Sequence, residues 1–472
     1  MERPHIFMLP SPGMGHFIPL IELAKILASH HRVSATILVP TTGSGHLTPA
    51  QKPFLDSLPN GINYLLLPPV ELDDVVDDAR FEVRVLLLMS RSIPFVRDAM
   101  AGCRISAFVA DPFGIDAFEI AKEFGIPSYL YFPASATSLV FFLHLPDLDG
   151  SVFGEFGDLP SPVLLPGCAP LHGKDLLDSV QDRKNEAYQW ILHLSKKARV
   201  LPDGIMLNSF AMLEPGPIRA LLQEKLPGPT AIYPIGPVIQ SGSVKEVDRV
   251  EREECLTWLD DQPDGSVLFI SFGSGGTLSY DQHTELALGL EKCDYIRFIW
   301  VIRIPNCKSS NRPLLSPKCD HNPLEFLPRG FVERTKARGM VMNWWAPQID
   351  ILSHRSTGGF LTHCGWNSTL EAIVHGVPLI GWPLYAEQKM NAMMLHETLE
   401  IALMPQADPV SGLTDNEEIA RVVKDLMEGE DGKRVRHRIK DLSEATKKFN
   451  SEDGDSTKLL AQVILKWGDY NN

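Results

Sequence analysis

The sequence predicts an α/β protein with two doubly wound parallel sheets. Short apolar runs alternate with stretches of helical period along all 472 residues, an arrangement typical of parallel βαβ units. The runs occupy residues 5–10, 34–40, 62–67, 105–111, 128–132 and 204–209, and then 266–272, 297–302, 339–344, 359–362, 378–382 and 401–405. A polar segment separates the two groups of runs, so we expect two sheets with separate cores.

That polar segment begins with Ile239 and reads IQSGSVKEVDR, which makes it the best linker candidate in the chain. We therefore predict an N-terminal domain at residues 1–238, a linker at 239–252 and a C-terminal domain at 253–453. The last residues, 454–472, contain a helical stripe of apolar side chains, which indicates a buried helix face. The stripe consists of Leu459, Leu460, Val463, Ile464 and Trp467.

Composition limits the partners and the compartment. A formal net charge of −15 argues against nucleic acid or an acidic membrane surface as a partner. Seven cysteines form an odd set without framework spacing, which favours a reducing compartment and predicts no disulfide. The N-terminus lacks a secretory pattern and no apolar stretch is long enough to span a membrane. We expect a cytoplasmic monomer without a transmembrane segment.

The first candidate for chemistry is His16, which lies where the first predicted strand meets a helix. The strand runs into PSPGMGH, whose two glycines would permit a sharp turn and a close approach to a ligand. Asp111 ends a neighbouring predicted strand in VADPFG. A carboxylate there can hold one imidazole nitrogen while the other takes a proton. Alone, each signal is weak, because a strand-end Asp is more often a helix cap.

A second candidate site lies between Trp345 and Gln388. Ser368-Thr-Leu-Glu371 fits a capping box, and Gly376 fits a helix end, which predicts a helix over residues 367–376. Its start would offer backbone N–H groups and a positive dipole end to a diphosphate. The same residues also allow a purely structural interpretation, with a simple helix cap, a packed core histidine at 363 and core tryptophans at 345 and 366.

A Gly-rich turn could add to this second site. Residues 267–277 form an apolar strand followed by GSGGT, so that backbone N–H groups and the Ser274 hydroxyl could reach a phosphate. Such turns commonly serve only as turns.

The second candidate site resembles the signature segment of a known family. The segment from Trp345 to Gln388 begins WAPQ, contains HCGWNS and ends in an acidic residue followed by Gln, like the signature of plant secondary-product glycosyltransferases of the UDP-dependent family. The resemblance implies the GT-B fold, two Rossmann-like domains facing across a cleft, with the C-terminal helix returning to the first domain. PSPGMGHFIPLIELAK and FGSGGTLS resemble the subgroup of hydroquinone, monolignol and indoxyl glucosyltransferases.

The resemblance also implies roles for individual residues. It implies that Trp345 stacks under uracil with Ala346 beside it, and that Gln348 and Glu371 hold the ribose. The residues implied for the diphosphate are Ser274, His363, Asn367 and Ser368, and those implied for the glucosyl unit are Trp366, Glu387 and Gln388. Many members have Asp where this chain has Glu387. His16 would be the catalytic base, with Asp111 behind it.

These parts predict an inverting glucosyl transfer. His16 would deprotonate an acceptor hydroxyl, which attacks the anomeric carbon of UDP-glucose and gives a β-glucoside. UDP-glucose is a co-substrate, and the helix start would stabilise the leaving UDP. We expect no metal or other cofactor, because the chain has no HExxH and no CxxC motif. Loops near the base suggest an apolar slot for a small aromatic acceptor, with Glu82, Phe113 and Phe142 as candidates, although both phenylalanines could equally be core residues.

Other function classes fit less well. A NAD-dependent oxidoreductase is disfavoured because PGMGHF lacks the third glycine of GxGxxG and the second strand ends LVPTT without an acidic residue. A serine hydrolase would need GxSxG, whereas residues 272–276 read FGSGG. A non-catalytic UDP-sugar binder on the same fold stays open as the alternative, but it would have no use for His16 and Asp111.

Overall fold

The structure is a computed structural model that describes residues 3–76, 79–223, 231–241, 249–305 and 322–468. It divides into two compact units, the first with residues 1–241 and 447–472 and the second with residues 242–446. Each unit contains one parallel sheet, of seven and six strands, which confirms the predicted α/β class with two doubly wound sheets. Within the predicted linker, residues 242–248 lie outside the described residues.

The first unit is a sheet in the order β3-β2-β1-β4-β5-β6-β7. Its strands are β1 His5–Leu9, β2 Ser34–Val39, β3 Ile62–Leu66, β4 Ala107–Ala110, β5 Ser128–Phe132, β6 Gly204–Leu207 and β7 Ala231–Pro234. The chain builds outward from β1 to β3 and then returns to add β4 on the other side of β1. The strand order therefore reverses between β1 and β4, a switch point where open α/β sheets bind ligands at the carboxyl ends of the strands.

Helices connect these strands. They are α1 Met14–His31, α2 Lys52–Asp56, α3 Phe81–Met100, α4 Phe118–Glu123, α5 Ala136–Ser151, α6 Glu186–Ala198 and α7 Pro215–Gln223. Polar N-caps begin two of them, because the side chains of Ser135 and Asn185 accept hydrogen bonds from first-turn N–H groups of α5 and α6. Every residue of β4 and β5 is buried, and all of them except Ser128 are apolar or aromatic.

The second unit repeats the plan in the order β10-β9-β8-β11-β12-β13. Its strands are β8 Val267–Ser271, β9 Arg297–Val301, β10 Gly339–Met342, β11 Thr357–Thr362, β12 Leu379–Gly381 and β13 Ala402–Leu403. Its helices are α8 Arg249–Asp260, α9 Tyr280–Glu291, α10 Phe331–Thr335, α11 Gln348–Ser353, α12 Trp366–His375, α13 Gln388–Met393, α14 Asn416–Glu428 and α15 Glu430–Phe449. Here the order reverses between β8 and β11.

All twelve predicted strands are present, and most are shorter than predicted. The pattern missed β7, which has four residues and ends in Pro234. Proline has no N–H to donate, but β7 lies at the edge of the sheet, where that loss is tolerated.

The last helix, α16 Asp455–Gly468, is grouped with the first unit. Of its apolar stripe, Leu460, Val463 and Trp467 are buried. The Trp467 ring lies 5.9 Å from the ring of Tyr129 on β5, and the Ser456 hydroxyl donates to the carbonyl of Ile235. In the described part of the chain, no helix has the length and apolar character needed to cross a membrane.

Candidate active site

His16 and Asp111 meet at the switch point of the first unit. His16 lies in the first turn of α1, which follows β1, and Asp111 directly follows β4. The two strands pair in parallel with Leu9 opposite Ala110, so the residues after them emerge at the same edge. His16 Nδ1 lies 3.1 Å from Asp111 Oδ2, and the His16 side chain is 30% exposed while that of Asp111 is fully buried. The imidazole thus presents its Nε2 side away from Asp111.

The buried carboxylate of Asp111 is surrounded by donors. Its Oδ1 accepts from the backbone N–H groups of Phe113 and Gly114, so that Asp111 caps the 3-10 helix Pro112–Ala117. Its Oδ2 accepts from the backbone N–H and the hydroxyl of Ser11, in addition to its contact with His16. The helix-cap interpretation and the His16 contact are therefore both correct. Ser11 was not predicted, and the only signal for it in the sequence is its position two residues after the first strand.

The two glycines before His16 do not act as the sequence suggested. Gly13 has φ −65° and ψ 127°, which any residue can adopt, and Gly15 is not among the glycines with positive φ. The expected sharp, glycine-dependent turn is therefore wrong. A Cβ on Gly13 would make an ordinary contact with Phe81, and one on Gly15 would meet nothing within 4 Å. The backbone beside His16 is consequently open to close approach.

The acceptor candidates differ in their surroundings. The Phe113 ring is partly exposed and its centroid lies 5.1 Å from that of His16, which places an apolar face beside the imidazole. Phe142 is buried and packs against Phe132 at 5.7 Å, as a core residue does. Glu82 is partly exposed in the first turn of α3, next to Phe81.

In the second unit, α12 begins earlier than the capping box predicted. The helix starts at Trp366 with Gly365 as N-cap, and Ser368 is its third residue. The predicted capping box of Ser368 and Glu371 is therefore wrong, because Ser368 lies inside the helix. Since Gly365 has no side chain, the N-cap residue itself makes no side-chain hydrogen bond to the first turn. The predicted helix end at Gly376 is confirmed by its left-handed conformation, with φ 71°.

Ser368 and Glu371 instead interact with the WAPQ segment. Gln348, the first residue of α11, donates through Nε2 to Ser368 Oγ at 2.9 Å and to Glu371 Oε2 at 2.5 Å. Both acceptor residues are buried. Trp345 precedes this cluster and is 39% exposed, and the partly exposed Ala346 accepts from the Gln348 N–H. The start of the signature and its helix are thus tied together, with an accessible aromatic ring beside them.

His363 follows β11 at the switch point and is enclosed by two glycines. A Cβ on Gly273 or on Gly365 would lie 2.4 Å from His363 Nε2, so the imidazole occupies a slot that exists only because both residues lack side chains. Gly273 also has φ +76°. Burial lowers the pKa of His363 to about 4, so the ring is neutral at physiological pH. His363 is buried, but it lies between two loops rather than within the sheet core.

The loop before α13 packs onto the Gly-rich turn. A Cβ on Gly276 would lie 3.0 Å from Leu384 Cδ1 and 2.1 Å from the carbonyl oxygen of Phe272. Gln388 is buried, and its Oε1 accepts from the backbone N–H groups of Leu384 and Tyr385, both at 2.9 Å. The amide carbonyl is therefore turned toward its own loop, which leaves the NH₂ group as the side that can face a ligand.

The remaining signature residues surround the same edge. Trp366 is buried and Asn367 is partly exposed in the first turn of α12. Ser274 and Glu387 are both partly exposed in loops at the carboxyl ends of β8 and β12.

Arg303 is a cation that the sequence reasoning missed. It lies two residues after β9, on the same edge as the Gly-rich turn, and the Thr277 hydroxyl of that turn donates to the adjacent Ile304 carbonyl at 2.8 Å. Burial lowers the pKa of Arg303, with Tyr385 opposing the shift. No acidic side chain in the described part of the second unit forms an ion pair with it. The net negative charge gave no sign of such a residue.

Among the described residues, no group of three or more His, Cys, Asp or Glu side chains is placed to hold a metal ion. The sequence contains two DxD triplets, one on α5 and one at residues 453–455. The carboxylates on α5 are engaged, because Asp147 pairs with Arg199 and Asp149 with Arg183, and Asp455 Oδ1 lies 3.8 Å from Lys458 Nζ.

Comparison with known proteins agrees with this geometry. A family profile described as "UDP-glucoronosyl and UDP-glucosyl transferase" matches residues 328–430. Over 470 residues the chain is 54% identical to hydroquinone glucosyltransferase of Rauvolfia serpentina, covering 99% of this chain and 98% of that protein. It is 50% identical over 471 residues to UDP-glycosyltransferase 72B1 of Arabidopsis thaliana, covering 99% and 96%.

Solved structures show the same fold. UGT2 of Phytolacca americana, complexed with UDP-2fluoro-glucose and pterostilbene, is similar with a TM-score of 0.88, 47% identity and coverage of 98% and 100%. A Polygonum tinctorium UDP-glucosyltransferase capable of glucosylating indoxyl, in complex with 3,4-dichloroaniline, gives a TM-score of 0.89, 49% identity and 99% coverage of each chain. The resemblance seen in the signature segment is thereby confirmed. The chain belongs to the family of UDP-glucuronosyl and UDP-glucosyl transferases and is a glycosyltransferase with the GT-B fold.

Proposed function

We propose that this enzyme transfers glucose from UDP-glucose to the hydroxyl of a small phenol or indoxyl-type acceptor, with inversion, to give a β-glucoside. The observation that carries the proposal is the contact between His16 Nδ1 and the buried Asp111 carboxylate. This contact places a general base at the switch point of the first unit. The second unit carries the donor signature at its own switch point. Similarity to enzymes named for hydroquinone and indoxyl supports the acceptor class.

The base chemistry follows from the tautomer that Asp111 selects. An ionised carboxylate can only accept hydrogen bonds, so the proton of a neutral His16 ring is held on Nδ1. Nε2 then has a lone pair and can remove the proton of an acceptor hydroxyl. Asp111 stabilises the imidazolium formed in this step, and the adjacent Phe113 ring provides an apolar surface for a planar acceptor.

The nucleoside would bind at the start of the signature. The exposed ring of Trp345 is available to stack under uracil, with Ala346 beside it. The Glu371 carboxylate would accept hydrogen bonds from the ribose hydroxyls. Gln348 supports this role because its donation to Glu371 Oε2 fixes the orientation of the carboxylate.

The diphosphate would bind over the start of α12. The N-cap of this helix is a glycine, so the backbone at the helix start can be approached closely, and the positive end of the helix dipole lies there. His363 is neutral and can donate one N–H from the slot between its two glycines. Ser274, Asn367, Ser368 and Arg303 would add donors at the same edge. Charge that develops on the departing UDP is stabilised more than the ground-state charge, which lowers the barrier.

The glucosyl unit would be held by Trp366, Glu387 and Gln388. The Gln388 carbonyl is engaged by its own loop, so its NH₂ group would donate to a sugar hydroxyl. The acceptor oxygen attacks the anomeric carbon as the bond to the diphosphate breaks, from the opposite face. We further propose that the reaction needs no metal and that the protein acts as a cytoplasmic monomer. Free thiols on the five described cysteines are in keeping with a reducing compartment.

A screen of small phenols and indoxyl with UDP-glucose, in the presence of excess chelator, tests the proposal. The expected product has the mass of a monoglucoside, and its anomeric proton shows the large coupling of a β-glucoside. Binding of UDP-glucose without any product would favour the alternative of a non-catalytic binder. Activity that disappears on chelation and returns with Mg²⁺ or Mn²⁺ would contradict the metal-free part.

A further inference from the structure

Ser11 contacts the carboxylate that holds the base. Its backbone N–H and its hydroxyl donate to Asp111 Oδ2 at 2.8 Å and 2.5 Å. Both residues are buried, and Oδ2 is also the oxygen that His16 contacts. Ser11 therefore supplies two of the three donors on the oxygen that faces the base.

The parallel pairing of β1 and β4 places Ser11 beside Asp111. Ser11 is the second residue after β1, and Asp111 is the first residue after β4. Because Leu9 and Ala110 are register partners, the next residues of both strands are neighbours at the switch point. Ser11 also belongs to the short connection that leads into α1, and the first turn of α1 carries His16. The base and a donor to its carboxylate are therefore close together along the chain.

We propose that Ser11 is a positioning residue for glucosyl transfer, acting on His16 through Asp111; this inference rests on the proposed function. Two N–H groups of the 3-10 helix hold Oδ1, and Ser11 holds Oδ2, so that neither oxygen can rotate away from the imidazole. A carboxylate held in this orientation keeps the proton on His16 Nδ1 and leaves Nε2 ready for the acceptor.

Substitution of Ser11 by Ala removes only the hydroxyl donor. If Ser11 acts through His16, the decrease in kcat caused by Ser11→Ala depends on how much the acceptor hydroxyl needs a base to lose its proton. We expect kcat to fall about tenfold to a hundredfold for a weakly acidic alcohol, since a hydrogen bond to a charged group is lost. A nitrophenol that is already ionised in the assay should lose less than about threefold, because its proton is gone before it binds.

Matched variants separate this role from a structural one. Ser135→Ala removes another buried serine hydroxyl that follows a strand, and it should lower stability without changing the ratio of the two acceptor rates. Ser11→Thr keeps the hydroxyl, so the ratio of its rates with the two acceptors should be close to that of the wild type. In an Asp111→Asn background, Ser11→Ala should cause no further selective loss, because residues that act as a unit are not additive.

The outcomes are distinct. A wild-type enzyme with no transfer to any phenol would refute the proposed function itself. With an active wild type, an equal loss on both acceptors in Ser11→Ala would refute the positioning role, as would full additivity with Asp111→Asn. Melting temperature and UDP binding verify that each variant is folded, and if Ser11→Ala does not fold, Ser11→Cys supplies the same comparison with a weaker donor.

Discussion

His363 Nε2 lies 2.4 Å from the point where a Cβ atom on Gly273 would stand. The Gly-rich turn after β8 and the histidine after β11 are thus fitted to each other across the switch point of the second unit. A turn that the sequence alone could not distinguish from an ordinary loop therefore has a specific steric function, which is to make room for an imidazole at the proposed diphosphate site.

This relationship predicts that Gly273→Ala impairs donor binding. The added methyl group forces the His363 ring to move, and we expect the UDP-glucose KM to rise roughly tenfold or more because overpacking costs about 1–3 kcal/mol. Gly265→Ala is the matched control, since Gly265 also has positive φ but its Cβ would meet nothing within 4 Å. It should cost about 1–2 kcal/mol of stability with an unchanged KM. Equal KM values for the two variants would contradict the steric account.

His16→Ala should abolish transfer to weakly acidic hydroxyls while UDP binding persists. Loss of a general base lowers the rate by about 10²–10⁴-fold. Initial rates and calorimetric titration with UDP measure the two effects separately. His30→Ala is the control, because His30 lies exposed in the last turn of the same helix and should leave both unchanged. Turnover like that of the wild type in His16→Ala would remove His16 from the role of base.

Glu371→Gln tests whether Glu371 binds the ribose, because the structure contradicts the alternative that it caps α12. The absence of a capping box means that the carboxylate does not stabilise the start of α12 from the N3 position. As a ribose ligand it should matter for binding, and we expect the UDP-glucose KM to rise about tenfold or more because a charged acceptor is lost. The melting temperature should change little. A large drop in melting temperature with an unchanged KM would indicate a structural role instead.

Arg303→Gln should weaken the binding of UDP and UDP-glucose, roughly tenfold, and uridine binding should change little. The reason is that a cation two residues beyond β9 would lose its hydrogen bonds to the diphosphate. Arg297→Gln, at the opposite end of the same strand, is the matched control and should leave all three affinities as they are. If uridine binding falls as much as UDP binding, the diphosphate contact is excluded.

Acid should destabilise the second unit through its buried histidines. Burial lowers the pKa of both His283 and His363 to about 4, so they remain neutral in the folded protein. The unfolded chain takes up these protons below about pH 6.5. The free energy of unfolding should therefore decrease as pH falls from about 6.5 toward 4, by up to about 1.4 kcal/mol per pH unit for each group. Denaturant unfolding of His283→Leu should show a smaller slope in this window; an identical slope would contradict the assignment.

The sequence by itself determined the class of fold, the family and twelve of the thirteen described strands, all except β7. Periodicity is a local property, so each apolar run such as that of β8 could be found without knowing its neighbours. The signature from Trp345 to Gln388 is contiguous, so the donor site could be predicted as a set.

Only the tertiary structure decided how these residues interact. His16 and Ser11 meet Asp111 across about a hundred residues of chain, through the parallel register of β1 and β4. Gln348 binds Glu371 from a different helix, which replaced the capping box that local spacing had suggested. Hydrogen-bond partners and steric slots depend on which strands become neighbours, and that information is not present in any local pattern of the sequence.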